Sequence, residues 1–187
     1  MKLKWLVLLI LLVFGLGYWI GFDFQNPETG LLIFSDFSET VDSSETSVFF
    51  CPIDSCDQQL IERIMNAEQS IDIAIYSFTL EPVADALILA HQNGIVVRVL
   101  IDAGQANSQY AVDEKLEETG IFLKRVDLVR GIMHNKYIII DEKLVGTGSF
   151  NYSKNGAQYN KENLVFISNP AIARQFEMDF ESLWDAS

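Results

Sequence analysis

Histidine and cysteine are both rare in this sequence, with only two of each among its 187 residues. The histidines, His91 and His134, lie far apart in the chain, whereas Cys51 and Cys56 form one close pair. A zinc site at the cysteine pair would need two further ligands, and the sequence offers none at a suitable spacing. Carboxylate clusters and a glycine-rich phosphate loop are missing as well. We therefore expect neither a metal nor a cofactor.

Basic residues are also scarce. The chain has 13 Lys and Arg against 26 Asp and Glu, which gives a formal net charge of −13. Lys2 and Lys4 precede an apolar N-terminal run, so the remainder carries 11 bases against 26 acids, or −15. This sign opposes non-specific binding to nucleic acid or anionic lipid, which requires Lys and Arg to neutralise phosphates. A local basic groove is still compatible with this balance.

Charge is absent altogether from residues 5–22, an apolar run of 18 residues with Trp5 and Trp19 near its ends. A membrane-spanning helix needs about 20 residues and tolerates about 17. The run is longer than the apolar core of most signal peptides, and no Ala-x-Ala cleavage site follows it. We therefore predict an uncleaved anchor in residues 1–22, with secretion after signal cleavage as the alternative.

The charges around the anchor predict its orientation. Lys2 and Lys4 precede the run and acidic residues follow it, which favours a cytoplasmic N-terminus and an extracytoplasmic domain. Residues 23–45 are polar and acidic without a sustained period, and they are predicted to be a tether. Residues 46–187 are predicted to form one domain, because 49% of the chain is hydrophobic and can fill a sizeable core.

Strand and helix patterns alternate along this domain. Such alternation predicts an α/β sandwich with a mainly parallel mixed sheet flanked by helices. One predicted helix begins at Ser108 as its N-cap and ends before Gly120. The predicted strands are 48–50, 71–78, 95–101, 121–126, 137–140, 144–147 and 164–167, and the predicted helices are 57–67, 81–93, 108–119 and 170–184.

The most informative stretch surrounds residues 137–140, which are aromatic and β-branched and predict a buried strand. Side chains two positions apart on a strand point to the same face, so His134 and Lys136 are expected together. Ser149 and Asn151 share a face of the next element for the same reason. An imidazole, an ammonium, a hydroxyl and a carboxamide directed at one point suit a phosphate group.

This stretch resembles the phospholipase D superfamily. The family pattern is HxKxxxxD, followed by a Gly-Ser element with Asn two residues after the Ser. Residues 46–184 are similar to one complete single-motif unit, as in small bacterial nucleases and the mitochondrial cardiolipin hydrolase (Zucchini-type) branch. The sequence has no internal repeat, so the motif occurs once. Its members here are His134, Lys136, Asp141, Gly148, Ser149 and Asn151.

The resemblance implies a reaction in two steps. One histidine attacks phosphorus and forms a phosphohistidine, a second protonates the leaving oxygen, and water then releases the phosphoryl group. One imidazole cannot be nucleophile and leaving-group acid at the same instant. His91 falls near the end of the predicted 81–93 helix, and nothing around it repeats the motif. We therefore expect a homodimer in which His134 of two copies meet across a two-fold axis.

The resemblance also assigns roles to the neighbouring residues. Lys136 and Asn151 would hold the non-bridging oxygens, and Ser149 would contribute a hydroxyl or orient the phosphate. Asp141 is offset from the motif histidine by an odd number of residues, so it is expected to be structural, as is the motif glycine. Glu162 fits the downstream acid of the family and would bind the other imidazole nitrogen; the alternative is a solvated surface acid.

Two further features leave alternatives open. Cys51 and Cys56 are expected to form a disulfide if the domain is extracytoplasmic, and otherwise to be two buried thiols. Lys124, Arg125 and Arg130 precede the motif and either guide a phosphodiester or are solvated. The anchor favours a phospholipid substrate. A nuclease acting on single- or double-stranded nucleic acid, and a non-catalytic membrane-tethered phosphate-binding module, are the alternatives.

Overall fold

A seven-stranded sheet runs through residues 45–187, the part of the chain that the computed structural model describes. The anchor predicted in residues 1–22 lies outside these residues, as does the predicted tether apart from Glu45, which begins the first strand. Among the helices of residues 45–187, none combines the length and the apolarity needed to span a membrane.

The seven strands follow one another along the chain in the predicted order, and they are arranged β1-β7-β6-β5-β2-β3-β4 across the sheet. The strands are β1 (Glu45–Cys51), β2 (Ser70–Ile75), β3 (Val96–Asp102), β4 (Phe122–Val126), β5 (Lys136–Ile140), β6 (Leu144–Gly148) and β7 (Glu162–Ser168). The helices are α1 (Cys56–Met65), α2 (Glu81–Gln92), α3 (Ala103–Ala106), α4 (Asp113–Glu118), α5 (Lys154–Gln158) and α6 (Pro170–Ala186).

The sheet is mixed and flanked by helices, as expected, but the prediction that it is mainly parallel is wrong. β2, β3 and β4 pair in parallel, whereas the other four of the six pairings are antiparallel. For the pair of β5 and β6, the reason lies in their connection, which consists of residues 141–143 only. A turn this short permits only an antiparallel pair, because a parallel crossover needs about a dozen residues or more.

The helix predicted for residues 108–119 begins too early, because α4 spans only Asp113–Glu118, and the sequence patterns missed α3 before it. Asp102 ends β3 and accepts a hydrogen bond from the Gln105 N–H at 3.2 Å, which starts α3 directly after the strand. A turn follows, and α4 begins only at Asp113, without Ser108 as its cap. The sequence patterns also missed α5, which Ser153 caps by accepting the Gly156 N–H at 3.1 Å.

The core lies on both faces of the sheet, and β5 is its central strand. Ile138 and Ile140 point to the face covered by α1 and α2, where Leu60 and Leu87 are completely buried. Tyr137 and the remaining alternate residues point to the other face, which α6 covers. Because β5 is packed from both sides, the place where it begins is a fixed point for the residues just before it.

A disulfide joins Cys51, the last residue of β1, to Cys56, the first residue of α1. The Cα atoms of the two residues are 5.5 Å apart, and both side chains are buried. The pair is therefore not two free thiols, and it fastens the edge strand β1 to the helix that covers it.

Candidate active site

The motif residues converge on one end of the sheet. Ile75, the last residue of β2, pairs with Lys136, the first residue of β5. Gly148 ends β6 and pairs with Leu164 near the start of β7. His134 directly precedes β5, so it lies at this same end. The carboxyl ends of β2 and β6 therefore meet the amino ends of β5 and β7 where the sequence predicted the phosphate site.

His134 is exposed, and one flank of its ring is supported by Tyr76. The two ring centroids are 4.6 Å apart and the ring planes are inclined by 56°. Tyr76 is itself fixed, because its N–H donates to the Asn135 carbonyl at 2.8 Å and its hydroxyl accepts from Gln105 Nε2 at 3.2 Å. Neither ring nitrogen of His134 is engaged by another residue of the range 45–187, so both are free to react.

Lys136 lies beside the imidazole. Its Nζ donates to the His134 carbonyl oxygen at 2.7 Å and lies 4.9 Å from the centre of the Tyr76 ring. Burial lowers the pKa of Lys136 below the usual lysine value, and the negative charge of Glu162 offsets part of this effect. The result is a partly desolvated ammonium group directed at the imidazole end of the sheet, which suits the binding of a phosphate oxygen.

Ser149 and Glu162 form a hydrogen-bonded unit of their own. The Ser149 hydroxyl donates to Glu162 Oε2 and accepts from the Asn163 N–H at 3.1 Å. The other oxygen of Glu162 accepts from Asn160 Nδ2 at 2.9 Å. Within one chain Glu162 thus binds Ser149 and Asn160 rather than His134, and it is half-buried rather than a fully solvated acid. Ser149 is exposed, but its two hydrogen bonds fix the orientation of its hydroxyl.

Asn151 is held between two buried aromatic residues, Phe150 and Tyr152. The backbone on its far side is fixed because the Tyr152 carbonyl accepts the Thr79 N–H at 2.8 Å. Asn151 Oδ1 is buried and accepts no hydrogen bond from any residue of the described domain. Buried polar atoms of this kind are rare, since leaving one unpaired is costly. Oδ1 can only accept a hydrogen bond, so the partner it lacks is a donor, and a phosphate oxygen would have to be met by Nδ2 of the same carboxamide.

Gly148 is required by the close approach of a neighbouring strand. A Cβ atom at this position would lie 2.2 Å from the carbonyl oxygen of Asn163, which is far inside any allowed contact. The absence of a side chain lets β6 and β7 approach closely enough for the Ser149 N–H to reach that same carbonyl, at 3.2 Å. The motif glycine thus positions Ser149 and is not itself a binding group.

Asp141 lies at the opposite end of β5 from His134. Its carboxylate accepts the N–H groups of Glu68, Gln69 and Ser70 at 3.0, 2.7 and 3.0 Å respectively. It therefore ties the turn after β5 to the loop that begins β2. These contacts give Asp141 a structural role.

The second histidine of the chain is remote from this site. His91 is in the last turn of α2, and its Nδ1 lies 3.3 Å from the carbonyl oxygen of Ile95. The next residue, Val96, pairs with Ser70 at the end of the sheet away from His134. One chain therefore supplies one imidazole to the site. Residues 45–187 also contain no cluster of three or more His, Cys, Asp or Glu side chains arranged to hold a metal ion.

A cavity of about 370 Å³ adjoins the motif and extends to α6. His134, Lys136 and Gly148 form one part of its lining, and residues of α6 form another. Asp179 of α6 accepts the Tyr137 hydroxyl at 2.9 Å and Asn135 Nδ2 at 3.3 Å. Ser149, Asn151 and Glu162 lie outside this lining. The complete lining is His134, Asn135, Lys136, Tyr137, Thr147, Gly148, Gln175, Phe176 and Asp179.

Sequence reasoning missed Tyr76 and Asp179. Tyr76 directly follows β2, which pairs with β5 although the two strands are more than sixty residues apart in the sequence. Asp179 is one of several acids on a helix that carries no motif. A residue pattern gives neither strand order nor helix placement, so no local signal marked these two residues.

Two of the three bases before the motif have structural partners. Arg125 is bound by Asp113 and Glu117, and Lys124 donates to the Trp184 carbonyl at 2.6 Å. Both lie on β4, at the edge of the sheet away from β6 and β7. Arg130 makes no ion pair with any described residue, so it is the one of the three that remains a candidate for guiding a substrate.

Comparison with known proteins bears on the same residues. The family described as "Cardiolipin synthase, PLD-like domain" matches residues 60–184. A phospholipase D from Rickettsia conorii is 31% identical over 180 residues, which cover 89% of this chain and 90% of that protein. A mitochondrial cardiolipin hydrolase from Chlamydomonas reinhardtii is 30% identical over 127 residues, or 68% of this chain. That match covers 56% of the Chlamydomonas protein, so the chain spans only about half of that relative's length.

Solved structures agree with the sequence matches. The phospholipase D family member Nuc from Salmonella typhimurium has a TM-score of 0.72 at 31% identity, covering 76% of this chain and 95% of that one. NucT from Helicobacter pylori has a TM-score of 0.70 at 27% identity, covering 76% and 96% respectively. Since the family match extends over most of residues 45–187 and includes the whole motif, the chain belongs to the phospholipase D-like family of phosphodiesterases.

Proposed function

We propose that this protein hydrolyses a phosphodiester without a metal ion, through a phosphohistidine on His134. The observation that carries the proposal is the pairing of an exposed, unengaged imidazole with the partly desolvated ammonium of Lys136 in one cavity. Tyr76 supports the ring from one side, so a ring nitrogen can be aimed at phosphorus. Lys136 and Asn151 meet the charge that builds on the non-bridging oxygens.

The reaction needs two proton transfers, one to the leaving oxygen and one from the attacking water. A His134 nitrogen forms a bond to phosphorus while the bond to the leaving oxygen breaks, and that oxygen takes a proton from a second imidazole. Water then attacks the phosphohistidine and gives its proton to the second imidazole, which releases a phosphomonoester and restores both rings. The products are the monoester and an alcohol.

The second imidazole comes from a second copy of the chain, because His91 is at the wrong end of the sheet. One surface of the molecule suits such a copy. Helix α6 packs on one side of the sheet, over β5 and β6. On this same side it leaves the neighbouring strands β7 and β1 uncovered. Val48 and Phe50 of β1 are 50% and 58% exposed there, and Val48 pairs with Val165. We propose that a second copy covers this apolar face and brings the two sites together.

A mixed dimer tests this arrangement. Two chains with different tags, one wild-type and one His134→Ala, are co-expressed, and the mixed species is isolated by both tags. It should have almost no turnover, because the shared site then has a single imidazole. A mixed dimer with His91→Ala should keep full turnover. Half of the wild-type rate in the His134→Ala mixture would mean that each chain acts alone, and it would refute the shared site.

A phospholipid is the proposed substrate. The apolar run in residues 5–22 would keep the site close to lipid, and the acidic balance of the chain opposes broad binding to nucleic acid. The similarity to proteins named phospholipase D and cardiolipin hydrolase supports the same choice. Headgroup release from vesicles and cleavage of labelled single- and double-stranded nucleic acid are to be compared in the presence of a chelator. Cleavage of nucleic acid alone would exclude the lipid activity.

A nuclease activity is the second candidate because of the bases at the motif end. Arg130, Lys136, Lys154 and Lys161 form no ion pair within residues 45–187, unlike Arg98, which two acids bind tightly. A local cluster of free bases can attract a polyanion despite a negative total charge. A non-catalytic phosphate-binding module is the third candidate, and it predicts ligand binding without turnover in the wild-type chain.

We also propose that the chain is a single-pass membrane protein with its N-terminus in the cytoplasm and its catalytic domain outside it. The disulfide between Cys51 and Cys56 supports this placement, because such bonds persist in oxidising compartments. Protease digestion of intact cells or spheroplasts tests the orientation. Resistance of the domain to external protease, with digestion only after lysis, would argue for the opposite side.

A further inference from the structure

The loop before the motif carries an unusual concentration of exposed apolar side chains. Leu128, Val129 and Ile132 are 40%, 103% and 54% exposed. They lie between β4 and His134, in a segment with Arg130 among them. Single exposed apolar residues are common on protein surfaces, but three within five positions, ending two residues before His134, form a local apolar surface.

Both ends of this loop are fixed to the core. Val126, the last residue of β4, is buried at 3% exposure, and Met133 is buried at 2%. The Met133 N–H also donates to Asp102 Oδ2 at 3.1 Å. The apolar residues therefore belong to a loop whose two ends are held by the core, and the buried residue at its second end directly precedes the exposed His134.

We propose that residues 128–132 insert into the surface of a lipid bilayer and hold His134 at the level of the phospholipid headgroups. Apolar side chains with a basic residue among them are the composition that enters the boundary between headgroups and acyl chains. Arg130 forms no ion pair in the described domain, so it is available to a lipid phosphate. This inference rests on the proposed phosphodiesterase function and narrows its substrate to phospholipid packed in a bilayer.

The length of the chain outside the structure permits this contact. β1 begins with Glu45, which pairs with Ser168 at the end of the sheet away from the motif. Residues 23–44 lie between the apolar run and β1, and these 22 residues span up to about 70 Å when extended. A sheet strand of seven residues is only about 23 Å long. The tether is therefore long enough for the domain to turn its motif end towards the membrane that holds residues 5–22.

A kinetic comparison separates membrane contact from chemistry. Val129→Asp is tested in the full-length chain against Val96→Asp, since Val96 is also exposed, at 51%, but lies at the opposite end of the sheet. Hydrolysis of vesicle phospholipid should fall about tenfold or more in Val129→Asp, because a charge opposes insertion. Hydrolysis of the soluble diester bis(4-nitrophenyl) phosphate should be unchanged, and Val96→Asp should match wild type on both substrates. An equal loss on both substrates in Val129→Asp would overturn the inference.

A spectroscopic measurement gives a readout that does not depend on turnover. The chain has two cysteines, both in the disulfide, so Val129→Cys introduces a single free thiol for an environment-sensitive fluorophore. In the full-length chain reconstituted into vesicles, the label should be quenched by nitroxide-labelled lipid. A label at Val96→Cys should not be quenched. A label at Val129→Cys that is shielded from water but not quenched would place a second copy or another protein there, and it would refute bilayer insertion.

The two proposals fail in different ways. If the Val129→Cys label is quenched but the wild-type chain hydrolyses no phosphodiester, the bilayer contact stands and the proposed function is rejected. Hydrolysis of soluble and vesicle substrates without quenching would support the proposed function and reject the contact.

Discussion

At the scale of single residues, the imidazole of His134 packs against a tyrosine outside the motif. We predict that Tyr76→Leu lowers kcat about tenfold, because His134 loses the ring that supports it. Tyr76→Phe should keep most of the activity, since it retains the ring and loses only the bond from Gln105. Turnover of a soluble phosphodiester measures the effect on catalysis, and urea unfolding measures the effect on stability. Equal losses in both variants would assign the role to the hydroxyl instead of the ring.

Lys136 leads to a prediction about pH. Burial lowers its pKa, so the ammonium loses its proton at a lower pH than an ordinary lysine does. We expect kcat/KM to decline on the alkaline side at a pH below the usual lysine range. Lys136→Arg should move this decline to higher pH, because the guanidinium stays protonated. A pH profile of kcat/KM tests this, and an unchanged alkaline limb in Lys136→Arg would assign the decline to another group.

At the scale of elements, the contact between β6 and β7 has no space for a side chain at Gly148. We predict that Gly148→Ala costs about 3 kcal/mol of unfolding free energy, since its Cβ would meet the Asn163 carbonyl at 2.2 Å. Gly94→Ala is the control, because Gly94 has a φ of 93° but no atom within 4 Å of the added Cβ. The control should cost about 1 kcal/mol, from backbone strain alone. Equal costs, measured by urea unfolding, would refute the steric explanation.

Helix α6 carries a carboxyl group with an altered titration. Burial, together with the negative charge of Asp72, raises the pKa of Glu177 from 4.5 to about 7. The folded state thus binds a proton that the unfolded state has already released between these two values, so stability falls as pH rises through this window. Glu177→Gln should remove this dependence and stabilise the protein at pH 8 by on the order of 1 kcal/mol. The check is thermal unfolding at several pH values, with the exposed Glu114→Gln expected to behave like wild type.

At the scale of the whole molecule, the open face of β1 and β7 is expected to control assembly. Under the proposed arrangement, Phe50→Asp should convert the dimer to monomer and abolish turnover together, because a second copy on this face would bring the two sites into register. Phe122→Asp is the matched control, since Phe122 is 59% exposed but lies on the opposite edge strand, β4. Light scattering and turnover are to be measured on the same samples. A fully active Phe50→Asp monomer would exclude the paired site.

The sequence predicted most of what depends on local patterns. The strand at residues 137–140 and the helices at both ends of the domain come from spacing and residue type. It failed at the short helices α3 and α5, and it failed where distant segments decide the outcome. Antiparallel pairing of β5 with β2, the support of His134 by Tyr76 and the bond from Ser149 to Glu162 all join segments that no local pattern relates. Strand order and register are properties of the assembled sheet, so these contacts needed the structure.

The spacing of the motif acquires a simple meaning from the position of Asp141. His134 and Asp141 are seven residues apart, and β5 lies between them. The imidazole is at one end of this strand, and the carboxylate that binds the loop before β2 is at the other. Adding or deleting one residue between them would reverse every side chain along part of β5, and either the imidazole or the carboxylate would lose its place. The spacing between the histidine and the aspartate of the motif therefore corresponds to the length of one strand.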